Sequence, residues 1–218
     1  EVADLDAVLL THEHSDHISG AGVVARRCSL PIYATEGTWA ASEEKLGKLN
    51  SKQRQIVEAE EFEIGKLGIT SFPIPHDAQQ PTGYTLAWGQ KKVAIATDMG
   101  EITEPVKQEI SQADLVVLES NHDLEMLKIG PYPWSVKKRI MSAEGHLSND
   151  DAADLTVELA QAGVGRILLA HLSQDNNMPE LALLTIKNML VEAGLKIDKD
   201  IELDFAYQDQ ISKVYQLG

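Results

Sequence analysis

Cysteine is almost absent from this 218-residue chain: Cys28 is the only one. A single thiol excludes an intramolecular disulfide framework and fits a reducing compartment, so a cytoplasmic setting is expected. Long apolar runs are missing too. Stretches such as Val116–Leu118 and Ile167–Ala170 are far too short to span a bilayer, and no signal-peptide pattern opens the sequence. Aromatics make up 5% of the residues, and no repeat, linker or low-complexity segment interrupts the pattern. Basic residues are scarce: 19 stand against 34 acidic ones, for a formal charge of −15. Such a surface repels phosphates on average, which excludes broad nucleic-acid coating but not a local site. The patterning predicts no membrane partner and fixes no oligomeric state.

What is present is a globular composition, 43% hydrophobic and 24% charged. Apolar strands are expected at Leu5–Leu10, Pro31–Ala34, Ile64–Pro75, Asp114–Glu119 and Arg166–Ala170. Thr82–Trp88 and Lys92–Thr97 read as a hairpin around Gly89. Helices are expected over Ile18–Cys28, with Val23 and Val24 on its apolar side, and over Glu36–Lys48, Ile102–Ser111, Ser135–Ser142, Asn149–Ala162 and Pro179–Ala193. Ser148 and Asp151 form a capping box for the helix that ends at Gly163. Glu202–Tyr207 and Ile211–Tyr215 read as a closing hairpin. Alternating strands and helices with intervening hairpins predict an α/β sandwich of two mixed sheets flanked by helices, in one domain over 1–218.

The chemistry concentrates in seven residues, Thr11-His12-Glu13-His14-Ser15-Asp16-His17. His12 and His14 are two apart at the end of a strand, so an extended chain aims both to one side. Asp16 and His17 follow where the chain turns into a helix. Imidazole suits zinc, iron and manganese, and carboxylate adds a hard, charge-neutralising ligand. His76, Asp98 and His171 each close an apolar strand, which directs them into the crevice beyond the strand ends. Each alone reads equally as a structural residue; the recurrence carries the argument.

The stretch 11–17 resembles the HxHxDH signature of the metallo-β-lactamase superfamily, and the spacing to His76, Asp98 and His171 is similar to its later motifs. His76-Asp77-Ala78 with Pro81 and Gly83, Glu119-Ser120-Asn121-His122-Asp123, Gly130-Pro131-Tyr132-Pro133-Trp134, Gly145-His146-Leu147-Ser148-Asn149 and Ala170-His171-Leu172-Ser173 resemble the YycJ/WalJ (VicX) branch. The resemblance implies two divalent metal ions, zinc or manganese with iron as an option. His12, His14 and His76 would hold the first, Asp16, His17 and His171 the second, and Asp98 both. It further implies a phosphodiesterase-type nuclease, with 5′-to-3′ exonuclease action on DNA and a metal-bridging hydroxide as nucleophile. Members usually carry about two strands before the HxHxDH loop, so the first strands of the fold are expected to be missing from this sequence.

Asp16, His146 and Glu119 are the expected catalytic residues. His146 is placed as proton donor to the leaving group, with Glu119 as its partner, or it simply anchors the Gly145 turn. The amides that open the following helix could hold phosphate. Asn121, His122 and Ser148 are expected at the substrate; Asn121 reads equally as a helix cap. Lys137-Lys138-Arg139, the only three-residue basic run, either guides a nucleic-acid backbone or forms a solvated helix face. Tyr132 and Trp134 either stack on a base or pack their loop. Two other classes compete: a small-molecule hydrolase acting on thioester, lactone or β-lactam bonds, and a non-catalytic metal-binding protein.

Overall fold

The computed structural model describes residues 4–57 and 61–217. In chain order it forms β1 (Val8–Leu9), α1 (Ser15–Ile18), α2 (Ala21–Cys28), β2 (Ile32–Ala34), α3 (Glu36–Leu46), β3 (Arg54–Ile56), β4 (Glu61–Ile64), β5 (Leu67–Pro73), β6 (Thr82–Trp88), β7 (Lys91–Ala96), α4 (Glu104–Ile110), β8 (Leu115–Glu119), α5 (Leu124–Ile129), α6 (Trp134–Ile140), α7 (Asn149–Ala162), β9 (Arg166–Ala170), α8 (Pro179–Glu192) and β10 (Glu202–Phe205). None of these helices is long and apolar enough to cross a membrane.

Two sheets flanked by helices result, as expected. The larger has the order β10-β9-β8-β7-β6-β5-β4. It is antiparallel from β4 to β7 and parallel from β7 to β10. The smaller joins β1, β2 and β3, and here the expectation of a mixed sheet is corrected: these three strands are all parallel. The main core fills the space between the larger sheet and α4, α7 and α8, with Val116, Leu118, Leu155, Leu169 and Ile186 buried in it. A second cluster around Trp39, Ile32 and Leu46 packs α2 and α3 on the smaller sheet.

Three local expectations change. The helix expected over Ile18–Cys28 is broken at Ser19 and Gly20, where Gly20 takes φ 86°. Its buried face is Gly22 and Ala25, and Val23 is exposed. A Cβ on Gly22 would stand 2.0 Å from the Leu46 carbonyl oxygen, so only glycine allows α2 to approach α3. The closing hairpin does not form. β10 pairs parallel with β9, and residues 211–215 carry no strand, with Ile211 and Val214 fully solvated.

β7, β8 and β9 are parallel neighbours in register, Ala96 beside Leu118 and Glu119 beside Ala170. Their C-terminal ends therefore share one edge of the sheet, and Asp98, Glu119 and His171 emerge side by side.

Candidate metal centre and cleft

The loop after β1 is fastened to the larger sheet before it can present its histidines. The buried Tyr84 hydroxyl on β6 donates to the Leu10 carbonyl at 2.8 Å, and the Thr82 amide to that of Thr11 at 3.0 Å. Glu13, pointing away, accepts from the Gln79 amide at 2.8 Å and ties this loop to the one carrying His76.

His12, His14 and His76 converge, with ring centroids 4.6–4.9 Å apart. His76 Nδ1 donates to the Gly145 carbonyl at 3.1 Å, which leaves Nε2 facing His14 Nδ1 at 3.2 Å. His12 Nδ1 lies 3.0 Å from Thr11 Oγ1, so its Nε2 is the free nitrogen. Oxygen partners of this kind fix which ring nitrogen a ligating histidine offers. Asp16, His17 and His171 form a second group. His17 Nε2 lies 3.4 Å from Asp16 and 3.3 Å from Asp98, and His171 Nε2 lies 3.6 and 3.4 Å from the same carboxylates. Asp98 thus stands between the groups, and His12 and His17 also gather around it.

Asp98 and His171 both adopt left-handed backbone, at φ 62° and 55°. For residues other than glycine this costs about 1 kcal/mol or more each, and such strain collects at functional sites.

The electrostatics fit a cation. Two buried atoms of the cluster, His12 Nε2 and Asp98 Oδ2, have no hydrogen-bond partner. Burial, with His17 beside it, pushes the His12 imidazole down to about 3, so that ring is neutral and ready to ligate. Burial opposes ionisation of Asp98, yet His17 and His171 hold its carboxyl far below the usual range. Burial likewise opposes a charge on His171, but Asp16, Glu119 and Asp98 outweigh it and raise the ring to about 11. Three carboxylates, those of Asp16, Asp98 and Glu119, therefore face this one ring.

Glu119, fully buried, stands behind the cluster. Its Oε1 accepts from Nδ1 of His146 and of His171, each at 2.8 Å. Its Oε2 accepts from the amides of Met99 at 3.0 Å and Leu147 at 3.2 Å. Although burial opposes it, these histidines lower the Glu119 carboxyl and keep it ionised. The His146 ring stacks obliquely 5.1 Å from His76 and 5.2 Å from His171.

In front of the cluster opens a cleft of about 800 Å³, lined by Asp16, His17, His146 and His171 and, farther out, by Tyr132, Arg139, Asp175, Phe205 and Tyr207. Asn121 reaches it, donating from Nδ2 to the His171 carbonyl at 2.9 Å. The cap of α5 is Asp123, not Asn121.

His122 and Ser148 do not reach the cleft. They are 1% and 2% exposed and pair with each other through a parallel backbone bridge. The Ser148 hydroxyl is taken up by the capping box with Asp151, and the His122 carbonyl accepts the Asn149 amide. Of the opening amides of α7, those of Asn149 and Asp151 are occupied from within, by the His122 carbonyl and the Ser148 hydroxyl. The basic run divides: Lys137 is buried, its ammonium on the carbonyls of Lys128 and Gly130 at 2.7 Å, whereas Arg139 lines the cleft. Trp134 is exposed and Tyr132 donates to Asp175 at 2.8 Å. Thr11, Asp77 and Tyr84 hold the site without having stood out as candidates; of these only Thr11 and Asp77, beside ligand motifs, carried a signal.

The model of the β-lactamase superfamily domain matches residues 1–172. The chain belongs to the β-lactamase superfamily. Exodeoxyribonuclease YycJ of Bacillus anthracis is 41% identical over 203 residues, covering 93% of this chain and 77% of that protein. Exodeoxyribonuclease WalJ of Streptococcus pneumoniae is also 41% identical, over 92% of this chain and 76% of its own. Membership therefore lies in the YycJ/WalJ branch. The fold is shared with the metallo-β-lactamase fold protein YhfI from Bacillus subtilis, at TM-score 0.66 and 20% identity over 94% of this chain and 76% of that one. As a member of this superfamily branch the chain is a metal-dependent hydrolase, and its clustered histidines and aspartates are of the kind that can hold a divalent metal ion.

Proposed function

We propose that residues 1–218 form one domain that hydrolyses phosphodiester bonds of nucleic acid, releasing nucleotides from DNA in the 5′-to-3′ direction. The observation that carries this reading is the Glu119–His146 pair set beside the ligand cluster. A proton-donating imidazole next to the metals is what an alkoxide leaving group needs and what a more acidic leaving group does not. The names of the two relatives at 41% identity support the same reading.

Two divalent ions, zinc or manganese with iron as an option, would complete the site: His12, His14 and His76 would hold one, Asp16, His17 and His171 the other, and Asp98 would serve both. When bound, such ions polarise the phosphoryl oxygens and lower the pKa of water. The remaining work belongs to the protein. Asp16, half-exposed at the cleft wall, orients an incoming water by accepting its hydrogen bond. Glu119 holds His146 by Nδ1 and leaves Nε2 as the nitrogen that can pass a proton to the leaving oxygen. Asn121 holds the loop of His171 and presents its amide edge to the cleft.

A second reading rests on the cleft's charge. Asp16, Asp175 and Asp209 line it with Arg139 as the one arginine or lysine, which favours a small neutral substrate such as a thioester, lactone or β-lactam. The two are separated by incubating the protein with Mn²⁺ or Zn²⁺ and 5′-labelled single- and double-stranded DNA and RNA, beside a chromogenic β-lactam, a thioester and a lactone. Mononucleotides released stepwise from the 5′ end of DNA are expected. Turnover of an acyl substrate with intact nucleic acid would replace this reading by the second.

A further inference from the structure

We propose that Arg139, oriented by Asp77, grips the phosphate next to the scissile one; this rests on the nuclease reading above. Of the three basic residues on α6, Lys137 is spent on the C-terminal carbonyls of α5, and Lys138 is solvated outside the cleft. Arg139 is the only Lys or Arg among the described residues that line the cleft.

Its side chain is not loose. Nε and Nη2 donate in parallel to the two oxygens of Asp77, the second at 2.9 Å. Asp77 is itself fixed: its amide donates to the Glu144 carbonyl at 3.1 Å, and it directly follows His76. Its Oδ1 lies 3.6 Å from His76 Nε2 and 3.8 Å from His14 Nε2. The guanidinium is therefore held one carboxylate away from the ligand cluster.

The pair is half-exposed, with side-chain exposures of 56% and 26%. Ion pairs at such positions add little to stability. The bidentate arrangement instead fixes the direction of a planar fork and leaves its Nη1 edge for a second anion. In a cleft that carries Asp16, Asp175 and Asp209, a phosphate needs a fixed positive charge to enter. Because Asp77 stands between the guanidinium and the cluster, the phosphate that meets Nη1 is the neighbour of the one being cleaved.

The test uses the metal-loaded protein and single-stranded DNA, unmodified or with one methylphosphonate at the linkage beside the scissile bond. One charged hydrogen bond corresponds to about a tenfold to hundredfold effect. Arg139→Ala is expected to lower kcat/KM by about that factor on unmodified DNA, mainly through KM, with metal content unchanged. Arg139→Lys, which keeps the charge without the fork, should recover only part. The methylphosphonate should slow the native protein by a similar factor and Arg139→Ala hardly further, because both remove one interaction. Additive losses, or an Arg139→Ala variant indistinguishable from the native protein, would overturn the proposal while the nuclease reading stands. A native protein that cleaves no phosphodiester takes down both.

Discussion

The Oε1 atom of Glu119 lies 2.8 Å from Nδ1 of His146. The same oxygen takes Nδ1 of His171 at 2.8 Å, so one buried carboxylate orients both the proposed proton donor and a proposed metal ligand. Glu119→Gln removes the charge and sets an amide N–H₂ against the Met99 and Leu147 amides or the imidazoles. Breaking a buried charged network of this kind costs about 3 kcal/mol. Thermal unfolding should show that loss, and elemental analysis should show weakened metal retention. A variant with native stability and full metal content would place Glu119 outside the site's support.

His146 lies outside the proposed ligand set, so His146→Ala should keep its metal. Phosphodiester hydrolysis is expected to fall roughly 10²–10⁴-fold. A nitrophenyl phosphodiester, whose leaving group needs little protonation, should lose far less. Equal losses on both substrates would assign His146 to positioning, and loss of metal would make it a ligand.

His122 is buried and its ring nitrogens have no hydrogen-bond partner. Burial, its largest influence, lowers its pKa below the ordinary 6.5. In the unfolded chain the ring protonates near pH 6.5, and in the folded protein only at lower pH. Between those values the unfolded state binds more protons, so stability falls as the pH drops below 6.5. His122→Leu should remove this part of the acid sensitivity. Denaturant midpoints compared at pH 7.5 and 5.0 should fall less for the variant; equal slopes would show that His122 protonates freely when folded.

Much of this site was legible in the sequence because its signals are local. The 11–17 stretch crowds four side chains of metal-binding type into one turn, and strand ends carry Asp98 and His171 to the edge where β7 and β9 stop. The Ser148–Asp151 box needed only spacing. What was not legible depends on partners far along the chain. β10 has the alternation of a hairpin strand, but β9, some 35 residues earlier, competes successfully for its backbone. β3 is three residues long and gains its place only by lying beside β2. The motif containing His122 says nothing of the Ser148 bridge that buries it, and the basic run gives no sign that Arg139 meets Asp77 while Lys137 caps α5.

Stepwise addition of Mn²⁺ or Zn²⁺ to metal-free protein, with DNA hydrolysis and bound metal read in parallel, tests the central claim most directly. The expected result is activity that rises with binding and saturates at two equivalents per chain. Asp98→Ala, which removes the carboxylate facing both His17 and His171, should weaken both equivalents together and abolish hydrolysis. Activity complete at one equivalent, DNA cleavage without added or bound metal, or an Asp98→Ala protein that binds and cleaves like the native one would contradict a shared two-metal site.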